Sequence, residues 1–223
     1  MLYKKGIFPV LLVTVLLLLF ITRPSATEHA QNTLTADQFR LLDGETVINL
    51  QRNDDDIVDV SGSIYIHSMP ETIWTVITDY NNLANTMPRV KESRVVQENG
   101  NVKIVDQTSK TGVLFLKIKF STRMTITEVF PDTLSFELIS GDFETFNGKW
   151  VLTPHKEENG TFLSWSARVK PDFSAPGFII DAVQKRDLRQ LLETIKKLSE
   201  PGLTAPSEKE KKEVQKHQSA HKG

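Results

Sequence analysis

The stretch VLFLKIKFSTRMTITEV, Val113 to Val129, constrains the chain more than any other. Leu116, Ile118, Phe120, Met124 and Ile126 fall on one parity, and Lys117, Lys119, Ser121, Arg123 and Thr125 on the other. Successive side chains of a strand point to opposite faces, so this alternation dictates a long β-strand with one dry and one wet side. Arg123 is thereby expected on the wet side, with a polar role inside as the alternative if the parity slips there. A sheet built from such strands must cover its dry side with another layer.

The flanking segments extend the pattern. TLSFELIS, FNGKWVLTP and TFLSWSARV alternate in the same way, and Asn159-Gly160 turns the last two into a hairpin. SRVVQ and VKIVDQ are strands separated by a second such turn, Asn99-Gly100. Upstream, IVDVSGSIYI (57–66) is a strand, and MPETIWTVITDY is a helix with Pro70 near its start and Ile73, Trp74, Val76 and Ile77 on its apolar side. NNLANTMPRV is a short helical turn halted by Pro88. After Pro176, one long helix places Leu188, Leu191, Leu192, Ile195 and Leu198 on a single stripe, with Lys185, Arg186, Arg189, Lys196 and Lys197 left polar. The expected class is α+β: a curved antiparallel sheet, two short helices after its first strand, and a long C-terminal helix as cover.

The ends differ from this middle. Lys4 and Lys5 precede an apolar run from Ile7 to Ile21, broken only by Pro9 and Thr14, and Arg23, Pro24, Ser25 and Ala26 follow. That order is the one found in export signals, and the run is short for a membrane span of roughly 20 residues. Cleavage after Ala26 is opposed by Pro24, so an uncleaved anchor stays open as the alternative. The expected organisation is a signal peptide or anchor at 1–26, an extension at 27–56, a compact domain at 57–199 and a charged, disordered tail at 200–223. The sequence has no cysteine, so neither a disulfide framework nor a thiol nucleophile is available, in keeping with a bacterial periplasm. The expected location is therefore periplasmic, or anchored at the outer face of the inner membrane. A net charge of −1 supplies no field that would gather nucleic acid.

Chemical motifs fail one by one. GDFETFNGKW, Gly141 to Trp150, places six residues between its glycines and lacks the Lys-Ser/Thr pair of a phosphate loop. Asp142 and Glu144 have the spacing of an acid pair but no adjacent histidine. His67 and His155 are not accompanied by a Gly-x-Ser-x-Gly elbow, and NDDD (53–56) lacks the glycine and distal glutamate of a calcium loop. No catalytic set, metal or cofactor is expected. What remains is aromatic. Phe146, Gly148 and Trp150 share one parity, so Gly148 either relieves crowding in a core or leaves room for a guest. Trp74, Phe115, Phe143, Trp165 and Phe178 are open to the same two readings, core or cavity wall.

The series DYNNLANTMPRVKESRVV, VLFLKIKFSTRMTITEVFPDTLSFELISGDFETFNGKWVLTP and LRQLLETIKKL resembles the polyketide cyclase/dehydrase branch of the START-like, or SRPBCC, superfamily, whose relatives include coenzyme Q-binding proteins. The likeness runs from about Asp59 to Leu198. Its most specific pieces are Asp79-Tyr80 with Leu83 and Met87-Pro88, and Gly141-Asp142-Phe143 through Gly148-Lys149-Trp150. The resemblance implies a helix-grip fold, with the sheet wrapped around the last helix to enclose an apolar cavity for lipids, sterols, quinones or polyketide-like molecules. It carries over no catalytic residue. The wall it implies comprises Trp74, Leu83, Met87, Phe115, Leu116, Ile118, Phe120, Phe143, Phe146, Trp150, Phe178, Ile179 and Val183. The expected function is an exported binding or carrier protein for a hydrophobic small molecule, more a binder than an enzyme. Its one expected partner is that ligand, and membrane association through an uncleaved N-terminal segment stays open. The alternative is a cyclase/dehydrase-type enzyme using Asp142, Glu144 or His155 as acid/base groups in the same cavity.

Overall fold

A computed structural model describes residues 34–53, 55–113, 116–172 and 177–200, without the side chains of 113, 116, 177–180, 182 and 183. The export signal and the tail beyond Glu200 lie outside the described residues. Among these residues, no helix is long and apolar enough to cross a membrane.

The first element among the described residues is α1 (Ala36–Leu42), closed by a capping box in which Thr35 accepts from the Gln38 amide at 3.2 Å and Gln38 accepts from the Thr35 amide at 2.8 Å. Next come β1 (Val47–Arg52), β2 (Val58–Ile66), α2 (Pro70–Ile77), a 3₁₀ turn at Tyr80–Asn82 and α3 (Leu83–Thr86). Then follow β3 (Val90–Asn99), β4 (Val102–Val113), β5 (Leu116–Val129), β6 (Thr133–Gly141), β7 (Phe143–His155), β8 (Gly160–Pro171) and α4 (Gly177–Ser199). The described strands form one eight-stranded sheet in the order β1-β2-β8-β7-β6-β5-β4-β3. Every neighbouring pair is antiparallel.

Hairpins build β3 through β8, the first and last of them at the Asn99-Gly100 and Asn159-Gly160 turns expected from sequence, while α2 and α3 carry the chain from β2 to the far edge at β3. The elements α1 and β1 precede those assigned from sequence. In β1 only Val47 is buried, so this edge strand carries little alternation to read. The dry side faces α4, and the core gathers Val58, Val60 and Ile64 of β2, Ile73 and Ile77 of α2, Leu163 of β8, and Leu188, Leu192 and Ile195 of α4.

Gly62 is what lets the helix sit close. A Cβ there would lie 2.8 Å from Leu188 Cδ2 and 2.9 Å from Leu192 Cδ1. The apolar stripe of α4 stops earlier than the sequence predicts, because Leu198 is 40% exposed. Lys196 donates to the Tyr65 carbonyl at 2.9 Å, and Glu200 accepts from the His67 amide at 2.6 Å. These two residues, one turn apart, hold the side of the last turn that faces β2. Leu198, two positions from each, falls on the far side.

Candidate functional site

The sheet and α4 do not close on each other completely. Between the dry face of the sheet, the α2–α3 connection and α4 lies a cavity of about 330 Å³. Its apolar wall is a run of six aromatic rings. Phe120 meets Phe143 edge-on at 5.2 Å, Phe143 stacks on Phe146 at 5.1 Å, and Phe146 lies against Phe136 at 5.1 Å. Phe136 then stacks on Trp165 at 6.1 Å, and Trp165 contacts Trp150 at 6.3 Å. Centroid separations in this range are favourable for aromatic pairs.

Two local devices aim these rings. Phe143 and Phe146 are three residues apart and would face opposite sides of a regular strand. Phe143 pairs with Pro171 and Thr145 with Lys170, so Glu144 is an extra residue, a bulge that brings both rings inside. Gly148 has the opposite task. A Cβ there would lie 2.1 Å from the Ser166 carbonyl oxygen and 2.8 Å from Phe136 Cζ, so the glycine relieves crowding beneath the ring stack.

The α2–α3 connection supplies a second wall through Tyr80, Leu83, Met87 and Pro88. The Tyr80 hydroxyl donates to Glu128 Oε1 at 2.6 Å. Burial first, then the Glu128 hydrogen bond and charge, push the phenol well above its ordinary range, so it stays protonated. Asn81 Oδ1 accepts from the Val95 amide at 2.9 Å, and Asn82 donates to Asp79 at 2.9 Å, which fixes the turn against β3.

The remaining wall is polar. Gln107, Ser109 and Thr111 occupy successive inward positions of β4, Thr122 lies beside them on β5, and Gln184 and Asp187 face them from α4. The Thr111 hydroxyl donates to the Asp187 carboxylate. Arg89 Nε reaches the same carboxylate at 3.2 Å and Arg186 Nη2 reaches it at 2.7 Å. Arg89 also donates to Gln190 at 3.0 Å and Arg186 to the Gly112 carbonyl at 2.9 Å, so two guanidinium groups clasp one carboxylate at the rim. Grooves of about 860 and 580 Å³ lie on the wet side of the sheet, floored by groups such as Asp59, Lys149 and Arg168 or Asp106 and Arg123. They offer no apolar enclosure.

Of the wall residues expected from sequence, Leu83, Met87, Ile118, Phe120, Phe143, Phe146 and Trp150 line the cavity. Trp74 does not. It packs in the core at 6% exposure, edge-on to Phe130 at 5.6 Å, because α2 turns that side toward the β5–β6 turn. Phe115 lies outside the described residues, as do the side chains of Leu116, Phe178, Ile179 and Val183. The acid/base candidates are elsewhere. Asp142 accepts from the Ser121 amide at 2.7 Å, Glu144 pairs with Lys170 at 2.6 Å, and His155 is packed against Phe162 and Tyr65. Arg123 sits on the wet side as the parity requires, bonded to Asp106 at 2.6 Å.

The profile of the family described as polyketide cyclase / dehydrase and lipid transport matches residues 66–196. The chain belongs to this family. The span takes in the α2–α3 wall, all six rings and the polar residues of β4 and α4. Solved structures share the START helix-grip fold at low identity. TTHA0849 from Thermus thermophilus is 20% identical with a TM-score of 0.54, over 66% of this chain and 99% of that one. The Zhui aromatase/cyclase from a Streptomyces species is 12% identical with a TM-score of 0.54, over 68% of this chain and 98% of that one. A START superfamily protein from Mycobacterium smegmatis is 14% identical with a TM-score of 0.54, over 64% of this chain and 97% of that one. No curated protein matches the chain.

In this family member the cavity is also framed by Trp165, which the sequence left open between core and wall, and by groups not expected there: Tyr80, Arg89, Phe136 and the polar set on β4 and α4. One signal was available. In β4 the inward parity changes from Val105 to Gln107, Ser109 and Thr111 while the outward parity stays polar, so half of a strand paired on both sides carries no apolar face.

Proposed function

We propose that the protein is an exported binding or carrier protein for a hydrophobic small molecule of the lipid, quinone or polyketide-like class, held between the sheet and α4. The observation that carries this reading is an apolar cavity framed by a continuous run of aromatic rings. Burying ligand area there gains about 25 cal/mol per Å², offset by the lost freedom of the guest, and such sites reach useful affinity with few polar contacts. The family description, which names lipid transport beside cyclase and dehydrase chemistry, is compatible with it. Binding is favoured over turnover because Asp142, Glu144 and His155 are all absent from the cavity lining.

Organic extraction of the purified protein followed by mass spectrometry tests the proposal. A co-purifying hydrophobic molecule is expected. A protein that emerges empty and also fails to bind lipids, quinones and aromatic probes overturns the carrier reading. Export is tested separately by sequencing the mature N-terminus. A product starting near Thr27 is expected, an intact leader in the membrane fraction indicates the anchored form, and an intact leader in the cytosol refutes export.

A further inference from the structure

The hairpin of β4 and β5 outruns the rest of the sheet. On one side β3 pairs no further than Ser109, with one more bond from the Lys110 amide to the Arg89 carbonyl at 2.8 Å, and on the other β6 pairs no further than Thr122. Lys110 opposite Lys119, Thr111 opposite Ile118, Gly112 opposite Lys117 and Val113 opposite Leu116 continue the pairing as a two-stranded ribbon, with no flanking strand among the described residues. Its inner face carries Thr111 and Ile118, which line the cavity. Its outer face carries Lys110, Lys117 and Lys119, all exposed. Lys110 and Lys119 stand directly across from each other, an arrangement in which like charges are destabilising. At the root of the ribbon the charges are matched, Arg123 with Asp106 and Arg186 with Asp187, but none of the three lysines has an ion-pair partner among the described residues.

We propose that this lysine face docks on an anionic lipid bilayer and brings the β4–β5 border of the cavity to the membrane surface. Lysines on an unaccompanied strand can serve only to keep another sheet from pairing there. Two features point to lipid instead. An anionic bilayer offers many phosphates at once, so it relieves the repulsion among cations that the fold holds together. The ribbon also alternates those cations with residues of an apolar cavity wall, and in the sequence they bracket Val113-Leu114-Phe115-Leu116. Cationic and apolar groups side by side suit the boundary between headgroups and acyl chains, whereas a soluble polyanion has use for the charge alone.

The chain has no cysteine, so a single introduced one reports from a chosen place. Ser121→Cys, on the lysine face, and Glu157→Cys, in the 3₁₀ turn Lys156–Glu158 at the opposite end of the sheet, are each made in the full chain and labelled with an environment-sensitive fluorophore. Each is titrated with phosphatidylcholine vesicles prepared with or without phosphatidylglycerol. A blue shift is expected at position 121 on the vesicles containing phosphatidylglycerol, with none on the neutral vesicles and none at position 157. Changing Lys110, Lys117 and Lys119 together to Gln should raise the lipid concentration needed for half that shift by about a hundredfold, the worth of three cations at an anionic surface. Added salt should weaken the wild type in the same direction. The variant is expected to fold, since all three side chains are exposed, and Lys117→Gln with Lys119→Gln alone serves if it does not. A shift that is equal on both kinds of vesicle, equal at both positions, or retained without the lysines overturns the proposal. So does the same shift with heparin in place of vesicles, which assigns the face to a soluble polyanion. No shift at all leaves the lysines as guards of an open edge and overturns it too. Each of these failures leaves the cavity-binding reading untouched, because no guest enters the measurement.

Discussion

The two sides of the cavity are held together by different physics. On the β5–β8 side, six rings touch in sequence at 5.1–6.3 Å, a contact that is broad, tolerant of orientation and indifferent to pH. On the β4–α4 side, hydrogen bonds and ion pairs converge on Asp187, and each depends on the placement of a single atom. The first arrangement supplies area and the second supplies direction. A pocket with only the ring wall would take any greasy molecule of suitable size. One with the polar wall added distinguishes guests by where their oxygens lie.

The most severe way to break this contrast is Phe136→Ala. It removes the buried middle ring of the run, so unfolding stability should drop by about 3–5 kcal/mol in urea titration, and affinity for aromatic probes should fall with it. Gly148→Ala approaches the same ring from below. Its added methyl meets the Ser166 carbonyl and Phe136, and a loss of about 1–3 kcal/mol is expected, measured in the same way. On the polar side, Thr111→Val should cost about 1–2 kcal/mol by leaving Asp187 one donor short, yet change the ranking of oxygenated over plain guests more than their average affinity. Retained ranking in that variant would mean that the polar wall is only a brace.

Tyr80→Phe lies between the two sides. It deletes the donor to Glu128, which keeps only Lys103 at 3.8 Å among the described residues, and should cost about 1 kcal/mol by thermal melting near neutral pH. Because the folded phenol is held above its ordinary value of 10.0, its contribution is fully present below pH 10 and is lost as the unfolded chain ionises above it. The smallest effect belongs to a control on the wet face. Hydrogen bonding by Arg123, aided by Arg94 and opposed by partial burial, lowers Asp106 from 3.8 to about 2. Its stabilisation is present above pH 3.8 and is lost as the pH falls toward 2. Asp106→Asn should therefore cost less than about 1 kcal/mol at neutral pH after allowance for solvent screening, and nothing at pH 2 or below.

The ring side was more legible in the sequence than the polar side, for a physical reason. Alternation in β5 announces which residues face inward without reference to any other strand, and so Ile118 and Phe120 could be assigned to the wall. Phe143 was harder, since its inward position depends on the bulge at Glu144, a property of pairing with β8. Gln107, Ser109 and Thr111 carry no such announcement. Their facing is set by register against Thr122, Phe120 and Ile118, and polar residues on both parities hide it. Trp74 shows the reverse error, because helix α2 offers an apolar side that fits either core or cavity.

Gly62 has a mechanical consequence. Where Leu188 and Leu192 rest on bare backbone there is no slack left to take up, so that portion of α4 behaves as a fulcrum. Ahead of the fulcrum, the turns of α4 are fastened to β4 through Arg186 and Asp187. Such fastenings can release and re-form while packed carbon stays in place. The hollow is thus bounded by close carbon packing at one end and by a polar fastening at the other.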